Sequence, residues 1–401
     1  MGIETALIAA PSRADNSIFG RTLLERLIIS CQRAGIQRFY IATPPERRDE
    51  VYASLGSVKP GSSVVLVDRF EDLLGRPGSV DPSAGCIAFS GNVVFHRSQL
   101  EQIFADHAAN PKRVLRMVST DDDRSGEIAA GPLEELLARD ALGSAPPARP
   151  EGDLPFALNG RPEDREEAEL RLARSVRRES ATKDAAMARL FDRKISWRIS
   201  YLLARTKITP NQVTLANTAL GMLLAWMFSI PSYGWRLAAS LLFVLSITID
   251  GVDGELARLQ MSETSWGAKL DIITDNIVHV AVLIGIFVGC YRASLNPAYY
   301  YLTPLVLGGF ALNALATYLA FQIRGADAEK WLTAVERWTG RDFAYLLAGF
   351  ALINRLEWFA WGTAFGTYVF GLGLIWLTAR RRRSPRDDGR IEPRGTAPEG
   401  A

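Results

Sequence analysis

The sequence predicts an α/β domain over residues 1–143 and an all-α polytopic membrane domain of about six transmembrane helices over 210–380. Between them it predicts a linker with a charged helix (144–182) and an amphipathic interfacial helix (183–209). Two observations predict this division. Up to about residue 143, short apolar runs alternate with helical stretches, the pattern of a largely parallel sheet covered by helices. Beyond about Thr209 the apolar runs lengthen to roughly 20 residues, enough to cross a bilayer. A mean hydropathy of only +0.04 therefore hides a split between a charged part and a hydrophobic one.

In the first part the expected strands are Thr5 to Ala10, Phe39 to Thr43, Ser63 to Asp68, Cys86 to Ser90, Val114 to Val118 and Glu127 to Ala130. Helices are expected over Arg21 to Ala34 and Ser98 to His107. SAPPARPEGDLP, from Ser144 to Pro155, reads as a proline-rich linker. The run RPEDREEAELRLARSVRRES has acids early and bases late, as the helix dipole favours, and reads as a solvated helix. Next, Phe191, Ile195, Ile199 and Leu202 recur at helical spacing among Arg189, Arg193, Lys194, Arg198 and Arg205. A basic amphipathic helix at the threshold of membrane spans is expected to lie in the interface plane.

The spans are expected at 211–230, 234–252, 268–291, 299–322, 342–357 and 359–379. Basic residues follow the fourth span (Arg324, Lys330, Arg337, Arg341) and the last (Arg380 to Arg383), and they also fill the helix before the first. The positive-inside rule then puts both termini on the cytoplasmic side of a multi-pass cell membrane protein. The tail over 381–401 reads as disordered. Cys31, Cys86 and Cys290 are scattered and form no CxxC pair, so neither a disulfide framework nor a zinc site is expected. TALIAA is too short an apolar run, after acidic Glu4, to be a signal peptide. A net charge of +2, with the bases gathered at membrane boundaries, gives no support for nucleic-acid binding.

The chemistry concentrates in DGVDGELARLQMSETSWGAKLDIITD, from Asp250 to Asp275. Asp250 and Asp253 are three residues apart and Asp271 and Asp275 four apart, so each pair projects from one helix face. Two facing helices would pool four carboxylates at the edge of an apolar region, where uncompensated charge is costly. Two divalent cations would balance them, and an all-oxygen ligand set favours Mg²⁺, or Mn²⁺ in its place. Gly254 and Gly267 leave room beside the carboxylates, and Arg258 is placed to meet a phosphate. Together these suit phosphoryl chemistry on a diphosphate.

The spacing D-x2-D-G-x2-A-R-x8-G-x3-D-x3-D resembles, at every fixed position, the signature of the CDP-alcohol phosphotransferases. The resemblance implies a membrane transferase that moves a substituted phosphate from a CDP-alcohol, here CDP-diacylglycerol, to an acceptor hydroxyl and releases CMP. It implies that Asp250, Asp253, Asp271 and Asp275 bind the metals and that Asp275 is also the general base. Gly254, Ala257, Arg258 and Gly267 would border the cytidine diphosphate, with Asn211 and Thr214 as helpers from the first span. Lys269, Arg324, Arg337 and Arg341 are candidates for binding a phosphorylated acceptor such as an inositol phosphate. A homodimer through the spans is part of the same expectation. His279, one turn past Asp275, is read as a hydrogen-bonded buried histidine.

The first domain resembles the sugar and polyol-phosphate nucleotidyltransferases, which are Rossmann-like, in LIAAPSRADNSIFGRTLLERLIISCQRAGIQRFYIAT and SGNVVFHRSQLEQI. Such a domain precedes the transferase in bifunctional enzymes that make CDP-inositol and then use it. Two departures argue against a first activity here. Pro11 removes a backbone donor from the loop that would cradle phosphates, and Asn92 stands where that family has a metal-binding Asp. The domain is expected to be catalytically degenerate, and Asp121, Asp122 and Asp123 read as a solvated acidic turn. Two other functions compete with lipid synthesis: CDP-inositol-dependent formation of a soluble inositol phosphodiester, and a non-enzymatic cation site in a membrane protein.

Overall fold

The computed structural model describes residues 3–13, 16–56, 58, 63–74, 81–118, 127–138, 147–148, 154–158, 161–181, 193–323, 331, 334–335 and 343–383. Outside them lie Asp121 to Asp123, Arg189, Phe191, Arg324, Lys330, Arg337, Arg341, most of the proline-rich linker and the tail beyond Arg383. The chain divides into two compact units, Met1–Leu220 with Leu245–Ile277, and Gly221–Val244 with Val278–Ala401.

The first unit is built on strands β1 (Thr5–Ala9), β2 (Arg38–Ala42), β3 (Ser63–Val67), β4 (Gly85–Phe89), β5 (Leu115–Val118), β6 (Glu127–Pro132) and β7 (Pro147–Ala148). Their order is β7-β5-β6-β4-β1-β2-β3. β4, β1, β2 and β3 run parallel, as the alternation of strands and helices requires, while β6 lies antiparallel between β4 and β5. Residues 119–126 are too few for the crossover of about a dozen residues that a parallel return needs, so β6 reverses.

Helix α1 (Leu23–Arg33) starts at Thr22, whose side chain accepts from the Glu25 N–H at 3.1 Å. Leu24, Leu27, Ile28 and Cys31 recur on one face and bury against Ile8, Phe39, Ile41 and Ile87. Leu7 points the other way along β1, into a second core with Cys86, Ala129 and Leu133. Period-two burial on both faces is what a covered sheet demands. Helix α2 (Arg97–Ala109) opens with a capping box between His96 and Gln99.

A third core holds the same unit together beyond the sheet. It draws on α3 (Pro162–Ala181), α4 (Arg193–Ala204), α5 (Pro210–Phe228) and α6 (Tyr233–Gln260). Ile18, Phe19 and Leu23 meet Ala168, Leu172, Ala173 and Val176 there, together with Tyr201, Ala204, Val213, Val252, Leu256 and Leu259. The charged helix α3 is therefore not solvated all round. Its small apolar stripe is covered, and Glu169 is buried with Arg205 Nε at 2.8 Å from it. On α4, Tyr201 and Ala204 face this core while Ile195 and Leu202 are exposed, which leaves an apolar edge for lipid.

The membrane domain continues through α7 (Ser265–Ser294), α8 (Ala298–Phe321), α9 (Phe343–Leu352) and α10 (Leu356–Arg383). Among the described residues, four helices are long and apolar enough to cross a membrane: α6, α7, α8 and α10. The chain is a membrane protein, and of the six expected spans the first and fifth correspond to α5 and α9, which fall outside that group of four among the described residues. α5 is 19 residues long but carries Asn211, Gln212, Thr214, Asn217 and Thr218 in its first half. α9 is a shorter apolar helix of ten described residues.

In the second unit, α5 and α7 cross closely where α7 has no side chain. A methyl on Gly285 would sit 2.9 Å from the carbonyl carbon of Ala225 and nearer still to its oxygen, and Gly289 meets Phe228 in the same way. Nearby, buried Arg236 donates to the Gly289 carbonyl at 2.5 Å and lies 3.6 Å from Glu357. That pairing accounts for an acid in the first turn of α10, just after Asn354 makes the turn with φ +55°.

Candidate active site

α6 and α7 deliver the carboxylates. One oxygen from each of Asp250, Asp271 and Asp275 lies within 4.8 Å of the other two, and all three residues are half-buried. Three like charges that close repel unless a cation neutralises them. An all-oxygen set of this spacing fits a hard divalent ion. The expected convergence of the two helix faces is thus present for three of the four aspartates.

Asp253 is engaged differently. It is buried, accepts a hydrogen bond from the Thr214 hydroxyl, and accepts another from the Gly254 N–H at 2.5 Å. Thr214 thus holds this carboxylate from α5. Asn217, one turn further along α5, accepts from Ser246 at 2.8 Å and ties the same two helices again.

The two glycines of the motif do different work. Among the described residues, a methyl on Gly254 would meet only the Arg258 guanidinium nitrogens, at 3.9 Å, which leaves space over it. A methyl on Gly267 would lie 3.1 Å from Thr264 Oγ1 and 3.2 Å from Asn211 Oδ1. Its missing side chain lets the start of α5 approach the start of α7, where Thr264 caps by accepting from the Gly267 N–H at 2.9 Å. Ala257 is half-buried, and its carbonyl accepts from the Ser262 N–H at 2.9 Å. Lys269 is exposed on the first turns of α7. In the second unit, His279 packs among the rings of Phe243, Phe310 and Phe343, the closest centroid at 5.5 Å.

Sequence reasoning missed Glu255, between Gly254 and Leu256. It is 1% exposed and accepts from Ser196 Oγ at 3.1 Å and Ser200 Oγ at 2.6 Å. The signal was there: serines spaced i, i+4 on α4, and an acid on an otherwise apolar flank of α6. A second charged group near the motif is Glu179 at the end of α3, 3.3 Å from His96 Nε2. The hydrogen bond from His96 holds the Glu179 carboxyl below its ordinary range, aided by the charges of His96, Arg258 and Arg97.

In the α/β domain, the loop expected to have lost its phosphate cradle is closed. The Ser12 N–H donates to Asn92 Oδ1 at 3.0 Å, and Asn92 Nδ2 donates back to Ser12 Oγ at 3.0 Å. Gly91 packs directly on the Ala9 carbonyl, leaving no room for a Cβ.

The profile of the family described as CDP-alcohol phosphatidyltransferase matches residues 207–379, which contain every residue of the carboxylate motif. A bifunctional IPC transferase and DIPP synthase from Thermococcus kodakarensis is 32% identical over 185 residues, 45% of this chain and 39% of that protein. A phosphatidylinositol phosphate synthase from Corynebacterium glutamicum is 36% identical over 84 residues, 21% of this chain and 37% of that one. The chain thus spans about two-fifths of the length of these relatives. A solved inositol-1-phosphate CTP transferase from T. maritima aligns over 37% of this chain and 78% of its own, with 12% identity and a TM-score of 0.26.

Proposed function

We propose that the CDP-alcohol phosphatidyltransferase domain formed by residues 207–379 transfers a phosphatidyl group from CDP-diacylglycerol to a hydroxyl of a phosphorylated polyol, such as an inositol phosphate, and releases CMP. The observation that carries this reading is the Asp250, Asp271 and Asp275 cluster beside the open face of Gly254. Asp250, Asp271 and Asp275, with Asp253 one turn along α6, would hold divalent ions. Two Mg²⁺ or Mn²⁺ ions, when bound, supply charge that neutralises the carboxylates and polarises phosphoryl oxygens.

The rest belongs to the chain's own side chains. Arg258, lying over Gly254, binds the diphosphate, and Gly254 and Ala257 keep the approach clear. Asp275 accepts the proton of the acceptor hydroxyl as its oxygen bonds to phosphorus and the bond to the CMP oxygen breaks. Lys269, on the exposed start of α7, binds the acceptor's phosphate, with Arg324, Arg337 and Arg341 as further candidates. The basic residues that flank the spans support a cytoplasmic position for both termini and the carboxylates. A homodimer through the spans is part of this reading, and so is an α/β domain without nucleotidyltransferase activity, supported by the closed Ser12–Asn92 loop.

A second reading is favoured by two relatives matched over 185 and 187 residues, which carry the name bifunctional IPC transferase and DIPP synthase. In it the donor is CDP-inositol and the product a soluble phosphodiester. One experiment decides both. Purified chain with Mg²⁺ receives CDP-diacylglycerol or CDP-inositol and a panel of polyol phosphates, and CMP is measured. Release only with CDP-diacylglycerol, lost in Asp271→Asn and Asp275→Asn, is the expected result. Release only with CDP-inositol selects the second reading, and release retained in both variants refutes the site.

A further inference from the structure

The carbonyl oxygens at the end of a helix have no partner within it, and the way α6 ends is unusual. Its backbone closes with the Met261 N–H on the Arg258 carbonyl (3.3 Å) and the Ser262 N–H on the Ala257 carbonyl (2.9 Å). That closure needs a residue in the left-handed region, ordinarily glycine, and here it is Met261 at φ +53°. A side chain with a Cβ is strained in that conformation and persists only where its surroundings hold it.

The next three carbonyls are all taken by arginines of the α/β domain. Arg26 donates to the Leu259 oxygen at 2.6 Å, Arg21 Nε to the Gln260 oxygen at 2.7 Å, and Arg33 to the Met261 oxygen at 3.2 Å. Arg33 also pairs with the Glu263 carboxylate. From the other side, Gln260 Nε2 donates to the Ile208 carbonyl at 3.0 Å, at the entry to α5. The contact is built rather than incidental, since Leu259 and Leu256 lie in one apolar core with Ile18, Phe19 and Leu23. Arg26 is itself buried, and burial lowers its basicity to about 10, which still leaves it cationic at neutral pH. Cations at a helix C-terminus also meet the negative end of its dipole.

We propose that the α/β domain works as a clamp on the carboxylate site. Arg21, Arg26 and Arg33 are positioning residues that hold the turn from Leu259 to Glu263, and that turn sets Asp250 on α6 against Asp271 and Asp275 on α7. The turn joins the two helices directly, so freedom at Met261 moves one set of carboxylates relative to the other. Removing a clamp arginine loosens the site without touching any group that meets substrate. A domain whose nucleotide loop is closed thereby acquires a role in the membrane reaction, and this role rests on the metal reading proposed above only through its effect on ion affinity.

The test uses the full chain in detergent, with two readouts. Hydrogen exchange reports the amides of 259–264, and electron paramagnetic resonance gives the Mn²⁺ dissociation constant. Arg33→Ala and Arg26→Met are expected to speed exchange at this turn about tenfold, the loss of one charged hydrogen bond, and to weaken Mn²⁺ binding by about tenfold. Arg26→Lys retains a cation and shows a smaller change in both. Adding Met261→Gly to Arg33→Ala relieves the left-handed strain and moves both readouts back toward wild type, a rescue that general destabilisation would not give. Because Arg33 lies at the surface, Arg33→Ala and Arg26→Lys decide the matter should Arg26→Met fail to fold. Wild-type exchange at 259–264 in these variants overturns the clamp, as does faster exchange with unchanged Mn²⁺ affinity. Failure of the wild-type chain to bind Mn²⁺ would instead strike the metal reading, and exchange at the turn would still decide whether the arginines hold it.

Discussion

Alanine at Gly285 and alanine at Gly254 are the same chemical change on two membrane helices, and the structure predicts opposite outcomes. At Gly285 the new methyl would stand 2.9 Å from the Ala225 carbonyl carbon and closer still to its oxygen, inside the 3.0 Å that real Cβ atoms essentially never cross. Both groups are backbone, so no rotamer relieves the clash and α5 and α7 must part by roughly an ångström. Overpacking of this kind costs about 1–3 kcal/mol, against a gain of about 1 kcal/mol from helix propensity. Because both contacts are backbone the cost lies at the upper end of that range, so the net loss is up to about 2 kcal/mol and lowers the thermal midpoint. At Gly254 the methyl meets, among the described residues, only the Arg258 nitrogens at 3.9 Å. Propensity then acts alone, and the midpoint holds or rises. The methyl occupies the space assigned to the donor, so CMP release falls and the donor's KM rises. Thermal midpoints by fluorescence-detected size exclusion, read beside CMP release, check both arms. A wild-type midpoint for Gly285→Ala, or full activity for Gly254→Ala, would refute the reasoning.

Two further outcomes follow from the site. Thr214→Val removes the donor to Asp253 while keeping its shape, leaving a buried carboxylate short of a bond worth about 1.5–3 kcal/mol; a lower thermal midpoint that higher Mg²⁺ restores is expected, and a midpoint indifferent to Mg²⁺ would count against Asp253 as a ligand. The Glu179 carboxyl, held below its ordinary value first by His96, stabilises the folded chain fully above the unfolded value, and this is lost as pH falls through the folded one. His96→Ala should therefore flatten the fall in thermal midpoint on acidification, by a small amount because Glu179 is half exposed; an unchanged acid limb would contradict the pairing.

The strands were legible to within a residue or two because both sheet faces are covered and alternation along β1 is complete. The carboxylate cluster was legible in its Asp271–Asp275 pair, because i, i+4 spacing puts both on one face, whereas the i, i+3 partner of Asp250, Asp253, is engaged by Thr214 instead. Other features escaped for physical reasons. α3 reads as charged, yet Ala168, Leu172, Ala173 and Val176 are small enough to hide a buried stripe among acids and bases. The end of α6 lacks the glycine that marks a helix stop, since the strain at Met261 is offset by arginines more than 200 residues away in sequence. Gly267 reads as room for a ligand, but its space is taken by Asn211 and Thr264, long-range packing that no local pattern encodes.

The central claim is that Asp250, Asp271 and Asp275 hold divalent cations on which transfer depends. Its most direct measurement is Mn²⁺ binding to the purified full chain by electron paramagnetic resonance, in wild type and in Asp271→Asn. The wild type should bind Mn²⁺ and lose both the signal of bound ion and CMP release on chelation. Asp271→Asn should bind at least about tenfold more weakly. Equal affinity in the two proteins, or CMP release that survives chelation, would contradict it.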